Sequence, residues 1–208
     1  FSPIKSLATL PMALSIVGIA IFAFFAAKVM SIIGRRAGFM FASIGTSLAS
    51  LLAAYSIICE SFILFNFACF LLGAGVAFSH QYRFAAVETV KKDMAPKAIS
   101  IILLAGIGSA FIGPNAANLS KDIISEHLYA GSYIVLAALT LTSTIFLYFY
   151  KDEHKKYNVN KEISRSYLEL IYQPRFLQAL MASAFAYAVM TFLMTATPIS
   201  MHVMEKIS

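Results

Sequence analysis

Six long apolar stretches dominate the sequence and leave almost no chain for a water-soluble core. They cover roughly residues 7–29, 37–58, 61–87, 98–118, 129–150 and 176–203. An α-helix rises about 1.5 Å per residue, so about 20 residues cross the ~30 Å hydrocarbon layer of a membrane. Backbone groups in lipid must be hydrogen-bonded within their own segment, which favours helices. The sequence therefore predicts an all-α, polytopic membrane protein with six transmembrane helices.

The composition argues against a soluble domain and against a nucleic-acid partner. Hydrophobic residues make up 60% of the chain and charged residues 12%, whereas soluble proteins carry about 25% charged residues. The net charge of +6 comes from basic residues in short connectors, not from one continuous basic face. Cys59 and Cys69 lack the spacing of metal ligands. We expect the lipid bilayer as a partner, and no nucleic acid, metal or cofactor.

The distribution of basic residues predicts the orientation. The first, third and fifth connectors hold Lys28, Arg35, Arg36, Lys91, Lys92, Lys97, Lys151, Lys155, Lys156, Lys161, Arg165 and Arg175. The other two connectors carry mostly acids. The positive-inside rule places the basic connectors in the cytoplasm and both termini outside. An outward N-terminus without a signal peptide suggests that an earlier helix is missing, so the six spans are numbered as helices 2 to 7 of a longer protein.

A glycine and two arginines stand directly before the second apolar stretch. Gly34, Arg35 and Arg36 resemble the end of the signature connector of the major facilitator superfamily, which reads glycine, three residues, acid, base, one residue, Gly-Arg-Arg. In that family the acid helps to lock an inward-closed arrangement through charge contacts. Three positions depart from the pattern, namely Ala27, Ser31 and Ile32. A simple cytoplasmic anchor is the alternative reading of the arginines.

Small residues recur every four positions in the fourth span. They are Ala105, Ser109, Gly113 and Ala117, and Pro114 follows directly. This resembles the pattern of the family's fifth helix, with Gly113 and Pro114 retained. Such a stripe lets another helix approach closely, which ordinary helix packing would also use.

The third span ends in a run that resembles a bacterial branch of the superfamily that includes riboflavin transporters. The run is His80-Gln81-Tyr82-Arg83-Phe84-Ala85-Ala86, and the phrase from Met194 to Pro198 in the last span looks like the same branch. Together the matches cover essentially the whole chain.

Arg83 is the central candidate for substrate binding or gating. On a continuous helix it shares a face with Ser79 and His80. Its guanidinium fork can hold a carboxylate, a phosphate or a planar carbonyl edge; snorkelling to the membrane surface is the alternative. His80 can carry a coupling proton or simply donate a hydrogen bond. The other candidates are Gln81, Tyr82, Asn115 and Thr195, the last two because prolines nearby interrupt their helices.

The resemblance implies a partial bundle of the superfamily. Residues 1–150 are expected to form an N-terminal bundle lacking its first helix, residues 151–175 a cytoplasmic linker, and residues 176–208 the first helix of a second bundle. It implies a secondary active transporter in the cell membrane, expected to be a bacterial inner membrane. The cargo is a small organic solute such as riboflavin or a related vitamin. A drug or metabolite efflux antiporter and a non-transporting truncated remnant are the alternatives; no motif of an intramembrane enzyme is present.

Overall fold

The computed structural model describes residues 7–150 and 172–205, and these residues form helices and connecting turns without a strand. The helices are α1 (Leu10–Ile33), α2 (Arg35–Ile58), α3 (Phe62–Ser79), α4 (Tyr82–Thr89), α5 (Ala95–Ser120), α6 (Ala130–Tyr148) and α7 (Pro174–Glu205). A short 3₁₀ turn, Lys92–Met94, precedes α5. With α3 and α4 taken together, six helical segments are long and apolar enough to cross a membrane. The predicted all-α class and the six spans are confirmed.

The span predicted over residues 61–87 is confirmed as Phe62–Thr89, but it consists of two helices separated by a turn. The helix α3 ends at Ser79, and α4 begins at Tyr82. At the break the Gln81 N–H donates to Phe78 O at 3.0 Å, three residues back, instead of four residues back as in an α-helix. The residues in the turn, His80 and Gln81, are neither glycine nor proline, so the sequence carried no signal for the break.

Glycine allows α1 and α3 to approach to backbone contact. A Cβ atom at Gly18 would overlap the Phe70 carbonyl oxygen, and one at Gly73 would overlap the Ser15 carbonyl oxygen. Lipid is as apolar as the helices, so helices in a membrane associate through such close packing and through hydrogen bonds. The two glycines therefore fix the point at which α1 and α3 cross.

Hydroxyl groups join α2 to α6. Ser47 Oγ donates to Ala137 O at 3.0 Å. One turn closer to the basic residues, Ser43 Oγ lies 2.8 Å from Ser143 Oγ and accepts a 2.9 Å bond from Thr144 Oγ1. Ser43 and Ser47 are buried. These bonds link two helices that lie far apart in the sequence.

The chain divides into two compact units, residues 1–154 and 155–208. The first unit contains α1 to α6, and the second contains α7. A small core of Met30, Phe39 and Ala85 lies in the first unit where α1 ends and α2 begins. We call this end, which carries Arg35, Arg36 and the end of α4, the basic end of the bundle. Most of the linker predicted at 151–175 lies outside the described residues, and the domain boundaries remain a prediction.

Candidate functional site

A single residue, Gly34, connects α1 to α2 at the basic end. Its φ is 85° and its ψ is 160°, a conformation that residues with a Cβ atom adopt only with strain. Its N–H donates to Met30 O at 3.1 Å and so caps α1. The tight connection places Arg35 and Arg36 in the first turn of α2. Positive charge is unfavourable at the N-terminus of a helix, so a contact with a group outside α2 stabilises both arginines.

Arg35 finds that partner in Glu88, near the end of α4. Nε and Nη2 of Arg35 lie 2.5 Å from Oε2 and Oε1 of Glu88, respectively. The Arg35 side chain is 21% exposed and the Glu88 side chain is 51% exposed. A two-pronged pair of this kind fixes direction as well as distance. It ties the start of α2 to the helix that carries Arg83.

Sequence reasoning missed Glu88 as the acid of this contact. Ser31, which stands where the family has its acid, donates its hydroxyl to Lys28 O at 2.7 Å within its own helix. The available signal was an acid at the end of the third span, just before Lys91 and Lys92. An acid there balances an arginine only if the two helix ends meet, which the sequence does not show.

Arg36 makes the second contact of the motif. Its guanidinium carbon lies 4.8 Å from the centre of the Tyr148 ring, at the end of α6. This is within the range of a cation–π interaction. The two neighbouring arginines thus connect α2 to two different helices.

The structure places the other candidates of the third span around the break between α3 and α4. His80 is half-buried directly after α3, Gln81 lies in the turn, and Arg83 is exposed on α4. Within the described part of the chain, Arg83 makes no ion pair. The face that Ser79, His80 and Arg83 were predicted to share spans the break between α3 and α4.

Tyr82 is packed within the bundle. The centres of its ring and the Phe39 ring lie 4.4 Å apart, with 33° between the ring planes. It also packs against the core of Met30, Phe39 and Ala85. Stacking on Phe39 therefore connects α4 to α2 on the apolar side of the Arg35–Glu88 pair.

The stripe of small residues on α5 is exposed, and Pro114 lies inside the helix. Among the described residues, no atom lies within 4 Å of the position a Cβ would take on Gly113. At Ala117, the last residue of the stripe, the Ser132 hydroxyl of α6 donates to the backbone carbonyl at 2.7 Å, so α6 approaches this end of the stripe. The Asn115 side chain donates to Phe111 O at 2.8 Å, on its own helix.

A cavity of about 720 Å³ lies between α5 and α6, at the end opposite the basic end. Gly113 belongs to its mainly apolar lining, and Glu60, Glu126, His127 and Tyr133 contribute polar groups. Thr195 belongs to α7 in the second unit, where its hydroxyl donates to Thr191 O at 2.8 Å. The predicted site residues of the first unit thus fall into two groups, one around the α3–α4 break and one on α5.

Comparison with known proteins gives an independent view of the family. The model of the Major Facilitator Superfamily matches residues 3–205. The riboflavin transporter RfnT of Brucella anthropi is 32% identical to the chain over 198 residues. That alignment covers 94% of the chain and 50% of the relative, so the chain spans about half of the relative's length. No solved structure matches the chain.

The sequence match and the fold agree. The family model covers almost the whole chain, and the helices have the length and hydropathy of a multi-pass membrane protein. The resemblance read from the motifs is therefore confirmed: this chain belongs to the Major Facilitator Superfamily.

Proposed function

We propose that the chain is part of a secondary active transporter, not of an enzyme, and that it moves a small organic solute by alternating access. The proposal is supported by the family match and by a relative named as a riboflavin transporter. The structural observation that carries it is the Arg35–Glu88 pair at the basic end. It supplies a charge contact of the kind the family uses for gating, with the acid on α4 in place of the one missing at position 31.

The pair suits a gate because it can stabilise the closed conformation and can still be broken when the protein opens. Partly exposed ion pairs contribute about 0.2–1 kcal/mol, and a two-pronged geometry adds to that. Two conformations of a transporter must differ by only a few kcal/mol for solute binding to shift their populations. Opening the cytoplasmic side would separate α2 from α4 and expose both charges to water.

The proposed cargo is riboflavin or a related flat vitamin, with Arg83 as the residue that recognises it. Riboflavin transport is what the relative's name states, and a planar ring with carbonyl groups suits a guanidinium fork. Arg83 is exposed and makes no ion pair among the described residues, so its donors are available to a solute. His80, Gln81, Asn115 and Thr195 are further proposed contacts, and His80 the proposed carrier of a coupling proton.

Uptake of radiolabelled riboflavin by bacteria that cannot synthesise it tests the proposal. We expect saturable uptake by the full-length protein and a loss of about tenfold or more in Arg83→Ala, because a charge-assisted hydrogen bond is worth about 1.5–3 kcal/mol. Arg83→Lys keeps the charge but loses the fork and should fall between the two. Arg175→Ala, at the start of α7, controls for the loss of a positive charge. Absence of riboflavin flux at normal membrane abundance would refute this cargo.

Export of drugs or metabolites is the second candidate. The observation that favours it is the Gly113-Pro114 pair inside α5, which resembles the pattern best known from antiporters of the family. Accumulation of a labelled compound in inside-out vesicles, driven by an imposed proton gradient, would support export. Uptake in whole cells alone would support import.

A further inference from the structure

Three contacts between α2 and α6 share one antiparallel register. Starting from the middle of the bundle, Ser47 meets Ala137, and Ser43 meets Thr140, Ser143 and Thr144. Arg36 then meets Tyr148 at the basic end. Arg36 lies 11 residues before Ser47 on α2, and Tyr148 lies 11 residues after Ala137 on α6. The same relative placement of the two helices therefore satisfies all three contacts.

The hydroxyl contacts determine this placement. Ser43 Oγ donates to Thr140 O at 2.5 Å, and Ser143 Oγ donates to the same carbonyl at 2.6 Å. Ser43 is buried, and a buried hydroxyl that loses its partner bears the full cost of its desolvation. Sliding α6 along α2 would break the bonds of Ser43 to Thr140 and Thr144 and the bond of Ser47 to Ala137 together. The position of Tyr148 relative to Arg36 is thus set deep in the membrane.

Arg35 and Arg36 are neighbours on α2, so they project about 100° apart around the helix axis. One reaches α4 through Glu88, and the other reaches α6 through the Tyr148 ring. A helix whose first turn is held on one side cannot rotate freely about its own axis. The contact with Tyr148 therefore sets the direction in which the neighbouring Arg35 points.

We propose that Tyr148 is a positioning residue for the Arg35–Glu88 pair: its ring, kept in register by the Ser43 hydroxyl cluster, holds Arg36 and thereby aims Arg35 at Glu88. The proposal deepens the proposed function, because it assigns to α6 a part in the cytoplasmic gate. The ring matters and the Tyr148 hydroxyl does not, since the cation lies over the aromatic face.

The test is a double-mutant cycle on the thermal unfolding of the full-length protein in nanodiscs. Glu88→Gln is introduced into the wild type and into Tyr148→Leu, and the shift in Tm caused by Glu88→Gln is compared. We expect the shift in the Tyr148→Leu background to be at most about half of that in the wild type, because coupled residues are not additive. Tyr148→Phe retains the ring and should leave the shift unchanged.

Phe146→Leu is the matched control, since Phe146 is an exposed aromatic of the same helix and should leave the Glu88→Gln shift unchanged. If Tyr148→Leu does not fold, Arg36→Lys takes its place, because it keeps the charge and loses the stacking plane. An equal Glu88→Gln shift in the wild type and in Tyr148→Leu, or in Arg36→Lys where that variant replaces it, would overturn the proposal. Unfolding needs no solute, so a failure of riboflavin transport would leave this result intact.

Discussion

Two single residues at the basic end, Gly34 and Glu88, are central to the proposed gate. Gly34 gives the connection between α1 and α2 a backbone conformation that other residues avoid. Glu88 supplies an acid for Arg35, whereas this sequence has Ser31 where the family motif has its acid. Gly34 could be recognised from the sequence as part of a motif. The second required the structure, because Glu88 lies 53 residues after Arg35.

Replacing Gly34 with alanine should destabilise the protein. A Cβ at φ 85° and ψ 160° is strained, and such strain costs about 1–3 kcal/mol. The matched control is Gly45→Ala, because a Cβ at Gly45 meets no described atom within 4 Å and alanine is favoured over glycine inside a helix by about 0.5–1 kcal/mol. Thermal unfolding of both variants in nanodiscs would show this; a Gly34→Ala protein at least as stable as Gly45→Ala would contradict the assigned strain.

At the scale of the helices, packing relies on small residues and hydroxyl groups instead of large apolar side chains. The buried residues of α2 are mainly serine and alanine, and large apolar side chains on the helices are often exposed. This is expected in lipid, where burying apolar surface between helices gains little. The crossing of α1 and α3 at Gly18 and Gly73 is the tightest example.

Gly73→Ala should weaken the contact between α1 and α3. The added Cβ would overlap the Ser15 carbonyl oxygen, and a backbone atom cannot move aside as a flexible side chain can. Overpacking of this kind costs about 1–3 kcal/mol. Gly106→Ala on α5 adds the same methyl group where no described atom lies within 4 Å and should leave the Tm nearly unchanged. A Gly73→Ala protein as stable as Gly106→Ala would show that the two helices do not cross so closely.

For the whole molecule, the orientation in the membrane is the property that most directly affects function. Among the described residues of the first unit, the basic residues other than Lys121 gather at one end, and Cys59 lies exposed at the other end, just after α2. The positive-inside rule then places Cys59 outside the cell. The proposed gate would lie on the cytoplasmic side.

Labelling with a membrane-impermeant maleimide tests this orientation. In intact spheroplasts we expect reaction at Cys59 and none at the buried Cys69. Cys59→Ser should abolish the labelling. A cysteine introduced at Lys92, in the turn before α5, should react only after the membrane is opened. Labelling at position 92 in sealed cells would reverse the orientation and place the gate outside.

The sequence by itself determined the fold class, the number of spans and the family. Hydropathy and the positions of basic residues are local properties, and each helix of a membrane protein satisfies its backbone hydrogen bonds alone. The fold class, the number of spans and the family can therefore be predicted without knowing which helices are neighbours. The same locality explains why the motif of Gly34, Arg35 and Arg36 could be recognised directly.

Only the tertiary structure decided which side chains meet. It paired Arg35 with Glu88 and Arg36 with Tyr148, packed Tyr82 on Phe39, and ended α3 at Ser79. The three side-chain contacts depend on helices that are distant in the sequence. The end of α3 depends on a turn that no glycine or proline marks. Charged and aromatic side chains can form these contacts only where close packing in lipid brings the helix ends together.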